Sequence, residues 1–206
     1  MYVPGHFAET ELLTLQDFMR QHGFATLVTQ HDGAPFASHL PLMLDSSIGT
    51  HGALLGHMAR NNPQWQYFAA GAEVLVMFQG AHAYVSPAWY EPNTMVVPTW
   101  NYSAVHAYGR ARILSEAELE TTLHLLVEEH EKAYPQPWKL ALTQVMRERM
   151  LSAIVGFEIT LTRVEGKFKL SQNRSEQDQR NVIEKLAQSE SGREVAQSML
   201  KNLERK

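Results

Sequence analysis

Cysteine is absent from all 206 residues, which excludes a disulfide framework, a thiolate metal site and a thiol nucleophile. No apolar run approaches the ~18 residues of a membrane helix. The start Met1-Tyr2-Val3-Pro4-Gly5-His6 lacks a basic segment followed by an apolar one, so a cytoplasmic protein is expected. No dinucleotide-binding glycine fingerprint follows any predicted strand, so a nucleotide, if bound, is held in another way. Ten histidines invite a metal hypothesis, yet no two stand four apart around a glutamate. Only His124 and His130 share a predicted helix, on different faces, and no calcium-type loop occurs, so no metal is expected.

With 44% hydrophobic and 19% charged residues, the chain is neither disordered nor fibrous, and its length suits one sizeable core. The net charge of −4 disfavours strong non-specific nucleic-acid binding, but the charge is uneven. Residues 1–162 hold 8 Lys and Arg against 15 Asp and Glu, whereas residues 163–206 hold 10 against 7. The mildly basic tail could serve an anionic ligand or DNA, or be a solvated helical face.

Apolar spacing predicts a helix from near Thr10 to Gly23, with Leu12, Leu15, Phe18 and Met19 on one face. Strands follow at Phe24–Thr29 and, after an Asp32-Gly33 turn, at Phe36–Leu44. A third strand at His51–Met58 leads to a short helix, Pro63–Ala70, stopped by Gly71. Glu73–Phe78 and Ala81–Trp89 read as a fourth and a fifth strand, the latter broken at Ser86-Pro87. A loop with Pro92, Asn93 and Pro98 precedes a long aromatic and β-branched strand, Thr99–Ile113. Ser115 and Glu118 form a capping box opening a helix to about His130; a second helix runs from about Leu140 to Met150, and Ile154–Val164 returns to strand. From Ser175 polar helices continue to the end, burying Val182, Ile183 and Leu186. Short strands without βαβ alternation imply an α+β, barrel-like sheet.

The segment Gly56-His57-Met58-Ala59-Arg60-Asn61-Asn62-Pro63-Gln64-Trp65 carries an apolar strand into a helix start. Asn61 or Asn62 suits the N-cap and Pro63 the first helical position, which leaves first-turn amides for an anion. Arg60 adds a fork of donors matched to phosphate, and His57 could add another; an ordinary capped helix with a solvated arginine fits the same spacing. Ser38 and His39, adjacent on a strand, point to opposite faces and cannot form a nucleophile–base pair. Ser38 suits a phosphate or ring oxygen, and the core is the favoured place for His39. Ala83 to Tyr90 and Val97 to Tyr102 supply aromatic walls that suit a flat heterocycle, with Asn101, Thr99 and the nearby Gln79 as hydrogen-bonding groups for its polar edge; Trp89 and Trp100 equally suit a core or an interface.

Ala37-Ser38-His39-Leu40-Pro41, the Gly56–Trp65 segment, Tyr84–Tyr90, Val97–Tyr102 and Lys169-Leu170-Ser171-Gln172-Asn173, in that order, resemble the PaiB-type FMN-binding negative transcriptional regulators from Met1 to about Leu186. Asn61-Asn62 stands where the family pattern has Ala-Asn, a change the cap tolerates. The resemblance implies an FMN-binding split β-barrel similar to pyridoxamine phosphate oxidase, spanning residues 1–170, with a C-terminal helical extension at 171–206. It implies a homodimer with FMN between the subunits. Arg60, Asn61 and the 63–70 helix would face the FMN phosphate; Ser38, His39, Leu40, His57 and Met58 would border the flavin. Trp100, Asn101, Tyr102, Lys169 and Gln172 would reach it from the partner subunit. The same scaffold also serves NAD(P)H-linked oxidoreductases and haem binders. No helix-turn-helix with a basic recognition helix is legible in the sequence, which leaves direct DNA binding without a motif.

Overall fold

A computed structural model describes residues 1–92 and 97–205; Asn93, in the expected loop before the long strand, lies outside them. In chain order the described elements are β1 (Ala8–Glu9), α1 (Leu12–Gln21), β2 (Phe24–His31), β3 (Ala34–Pro41), β4 (Met43–Asp45), β5 (Ala53–Ala59), β6 (Glu73–Val85), β7 (Thr99–Ile113), α2 (Glu116–Glu131), α3 (Gln144–Ala153), β8 (Ile154–Lys169), α4 (Glu176–Ala187) and α5 (Arg193–Glu204). Short 3₁₀ segments lie at Gly5–Phe7, Pro63–Ala70 and Pro87–Trp89. The class is α+β, as the strand spacing implies. The chain divides into two compact units.

The first unit comprises Met1–Phe18, Gln79–His106 and Glu165–Lys206. Ala83, Val85, Tyr90 and Leu170 meet Val182 and Leu186 of α4 and Val195, Ala196 and Met199 of α5 in one buried cluster. The i, i+3, i+4 spacing of the α4 residues produces that face, and Ser175 caps the helix by accepting from the Asp178 amide. β1 is too short for a periodicity to reveal it; it pairs antiparallel with β8, Ala8 opposite Lys167.

The second unit comprises Met19–Phe78 and Ala107–Val164. Its sheet order is β3-β2-β6-β7-β8-β5-β4. Asp32 (φ 49°) and Gly33 (φ 78°) make the tight turn with two left-handed residues that joins β2 to β3. Two expectations are corrected. The returning strand does not run unbroken to Leu44: at Leu42 the amide leaves the ladder to bond Gly23 O at 2.8 Å, and Met43–Asp45 pairs with β5 instead. The fourth and fifth strands are one, because Gln79-Gly80 stays extended and β6 ends only before Ser86-Pro87. The short helix has the expected bounds, Pro63–Ala70, and is of 3₁₀ type. Leu27, Leu54, Val76, Phe157 and Ile159 are fully buried, and the Phe68 and Phe157 rings meet at 5.4 Å.

The helical insertion packs Leu119 and Leu123 of α2 against Leu114 and Leu151. Its start is the expected capping box: the Ser115 hydroxyl faces the Glu118 amide, and the Glu118 carboxylate accepts from the Ser115 amide at 2.7 Å. Arg112 binds that carboxylate at 2.9 Å and the buried Glu158 carboxylate at 2.8 Å. The Ser115 amide foremost, then its hydroxyl and Arg112, lower the Glu118 carboxyl to about 2. This folded value is depressed below the unfolded one, so the box's stabilisation is complete above the usual carboxylate range and is lost as pH falls through about 2. A carbon-13 titration is expected to place the Glu118 midpoint near 2, rising part of the way back in Ser115→Ala, which keeps the amide donor but loses the hydroxyl.

Candidate functional site

At the end of β5 the Arg60 amide bonds Ala153 O at 2.8 Å. The guanidinium does not float in solvent: Nε donates to Ser152 O and Nη2 to Ile154 O, both at 2.8 Å. These carbonyls lie at the C-terminal end of α3, where helix geometry leaves acceptors without intrahelical partners and the dipole attracts a cation. Arg60 thus closes α3 with one edge of its fork and keeps Nη1 on the other.

Asn62, not Asn61, is the N-cap. Its Oδ1 accepts from the Gln64 amide at 3.0 Å and its Nδ2 donates to Ser38 Oγ at 2.9 Å, so Ser38 of β3 is tied to the helix start. Pro63 fills the first position, and Gly71, left-handed at φ 61°, ends the segment. The fully buried Gln64 was not singled out by the sequence. Its Nε2 donates to Leu27 O at 3.0 Å and reaches Thr29 Oγ1 and Phe36 O, both at 3.2 Å, fixing the helix start to β2 and β3. A polar residue one place after the proline at the first helical position would have been the only signal. Trp65 Nε1 donates to Arg60 O at 3.0 Å and closes the junction.

Ser38 and His39 do face opposite ways. His39 is exposed, its ring stacked 6.4 Å from that of Phe24, which corrects the core position favoured from sequence. The inward positions of β3 are 36, 38 and 40, and His39 falls between them. Leu40 is half-buried, Asn61 exposed, and Met58 turned into the core. His57, on the opposite face of β5 from Met58, has Nδ1 buried without a hydrogen-bond partner among the described residues. Burial pushes its pKa down, which keeps the ring neutral at pH 7.

In the first unit, Trp100 is half-exposed, with His82 and Tyr84 rings each 6.0 Å away. Asn101 is fully buried; its Nδ2 donates to Ser171 Oγ at 2.9 Å, so its amide does not face outward as a ring-edge partner would. Tyr102 is half-buried below Lys167, whose Nζ lies 5.4 Å from the ring centre. Lys169 donates to Thr99 Oγ1 and Trp100 O, both at 2.6 Å, and burial foremost lowers its pKa. Gln172 braces its own turn, accepting from the Leu170 amide at 2.7 Å and donating to Phe168 O at 2.5 Å. Gln79 Nε2 stands 3.4 Å from His82 Nδ1. The expected residues thus fall into two sets, one in each unit.

The donor chemistry of the second unit's set fits a phosphate monoester: a capped helix start, a guanidinium edge and a hydroxyl, Ser38 Oγ, at one strand end. Among the described residues no group of three or more His, Asp or Glu could hold a metal ion, and no helix is long and apolar enough to cross a membrane.

The α+β antiparallel sheet, together with the family that the sequence matches, makes this a flavin-binding protein of the split-barrel class. Residues 1–163 match the family described as "Putative FMN-binding domain". The chain is 43% identical over 192 residues to "Protease synthase and sporulation protein PAI 2" of Bacillus subtilis, covering 92% of this chain and 91% of that one. It therefore belongs to the PaiB-type FMN-binding family. An uncharacterised protein of Emericella nidulans is 34% identical over 223 residues, with 89% of each chain covered. Among solved structures, the FAD and heme binding protein of Mycobacterium smegmatis shares the fold with TM-score 0.62 at 16% identity, over 84% of this chain and 78% of that one. The flavocytochrome Anf3 of Azotobacter vinelandii gives 0.62 at 12%, over 86% and 77%.

Proposed function

We propose that the chain works as an FMN-binding homodimer that negatively regulates transcription, with the flavin as its redox sensor. The observation that carries this reading is the tie from Ser38 Oγ through Asn62 to the start of the 63–70 segment beside Arg60. It gathers an anion's donors at one strand end, which suits the single phosphate of FMN. Bound there, the flavin supplies the one- and two-electron chemistry that a sensor needs. Ser38, His39, Leu40, His57, Met58 and Asn61 form the flavin's border on this subunit, Met58 from beneath as part of the core. Trp100 and Tyr102 are the partner subunit's contribution, while Asn101, Lys169 and Gln172 hold the turns that present them. The name of the Bacillus subtilis relative, tied to protease synthesis and sporulation, suits a regulatory role.

Light scattering is expected to give a dimer mass, and fluorescence anisotropy with promoter DNA an affinity that differs between oxidised and reduced flavin. Steady NADH or NADPH oxidation without DNA binding would replace this reading with an FMN-dependent oxidoreductase; a Soret band would point to haem. Arg60→Ala is expected to weaken FMN binding by about 1.5–3 kcal/mol, the size of a lost charge-assisted hydrogen bond. It also uncaps α3, so Arg60→Lys, which keeps charge but not the two-pronged fork, should fall between the two. Equal FMN affinity in all three proteins would move the phosphate elsewhere.

A further inference from the structure

Beside β5 the second unit holds a cavity of about 290 Å³ whose walls are Pro41 and the α2 side chains Leu123 and Leu126, with Trp138 at its mouth. It is apolar except where His57 and the rim residue Glu131 enter, together with the exposed His130. Two features are unaccounted for by folding alone. His57 Nδ1 is buried with no hydrogen-bond partner among the described residues, a cost of about 1–3 kcal/mol. Trp138 leaves more than half of its surface exposed while its backbone amide is anchored to Glu131 Oε2 at 2.7 Å, so the residue is tethered beside the cavity without being buried.

We infer that this cavity binds a compact aromatic amine, its ring between Leu126 and Trp138 and its ammonium group at Glu131. The size is at the low end of ligand pockets, which limits the occupant to one or two rings. Glu131 is the single formally charged group in the lining, so the rim favours a cation over a carboxylate. An indole face adds attraction for that cation. The imidazole of His57, kept neutral by burial, lines the cavity without adding a charge that would repel the ammonium group. The inference extends the flavin reading in one respect: His57 also stands on the proposed flavin border, which would make the amine the sensed effector. Binding of the amine itself requires no flavin.

The test uses full-length protein as purified, titrated in a calorimeter with 2-phenylethylamine, 2-phenylethanol and 3-phenylpropionate, with the flavin band recorded for every sample. The amine is expected to bind at least ~10-fold tighter than the alcohol, a difference of about 1.4 kcal/mol, and the carboxylate weakest. Glu131→Gln, which retains an acceptor for the Trp138 amide, should remove the preference for the amine. L126W, which fills the cavity, should abolish binding of both amine and alcohol; if L126W fails to fold, Glu131→Gln decides alone. Equal affinity for the three probes, no amine binding, or an unchanged preference in Glu131→Gln would overturn the inference. A protein lacking flavin that still binds the amine would leave the site standing and remove its sensory role.

Discussion

Gly109→Ala is expected to cost at least about 3 kcal/mol of stability, the range of severe overpacking and backbone strain. Gly109 lies in β7, where that strand runs against β8. A Cβ built there would stand 2.4 Å from Thr160 O and 2.8 Å from the Ile159 side chain. The first of these atoms is backbone and cannot rotate away. Relief requires the two strands to part by roughly 1 Å, which stretches neighbouring ladder hydrogen bonds below useful strength. Because β7 and β8 are central in the sheet of the second unit, no free edge exists to absorb the shift. Chemical denaturation should show a large fall in midpoint with an unchanged slope. A midpoint within experimental error of the parent would mean that the close approach of the strands is not a constraint.

Gln64→Leu is expected to destabilise by about 2–4 kcal/mol and to weaken FMN binding. The substitution leaves Leu27 O, Phe36 O and the buried Thr29 hydroxyl without their shared donor, each a group that is costly to bury unpaired. One offset works the other way: Gln64 Oε1 is itself buried with no partner among the described residues, and leucine removes that cost. The loss of three contacts outweighs the relief of one. The effect on FMN follows from geometry, since Gln64 carries the amide that Asn62 caps and the side chain that fixes this turn to β2 and β3. Gln64→Glu, similar in shape but bringing a buried charge among carbonyls, should be worse than leucine, so the order of the two variants separates shape from donor loss.

The long strand Thr99–Ile113 was legible to the residue, because its aromatic and β-branched content favours a sheet. Local chemistry was equally readable at Asp32-Gly33, at the Ser115–Glu118 box and at the Pro63 and Gly71 ends of the short helix, where a few adjacent residues dictate the backbone. What escaped the sequence depends on partners far along the chain. Leu42 continues an apolar alternation, and only the Gly23 carbonyl explains why the strand breaks there. Gln79-Gly80 separates two expected strands, yet β6 passes through it. At the candidate site the residue types were readable and their engagements were not. Arg60 finds two carbonyls about ninety residues away at the end of α3, and Asn101 turns inward to Ser171. Gln64 is invisible for the same reason, since each of its acceptors lies on strands formed earlier in the chain.

The junction of β3, β5 and the 63–70 segment is the proposed FMN site. Its most direct test is the visible absorbance of protein loaded with FMN and passed through gel filtration, for the parent and for Ser38→Ala with Arg60→Ala combined. The expected result is a flavin band retained at about one per subunit in the parent and lost from the double variant while its circular dichroism stays native. Retention of the full flavin band by the folded double variant would contradict the account.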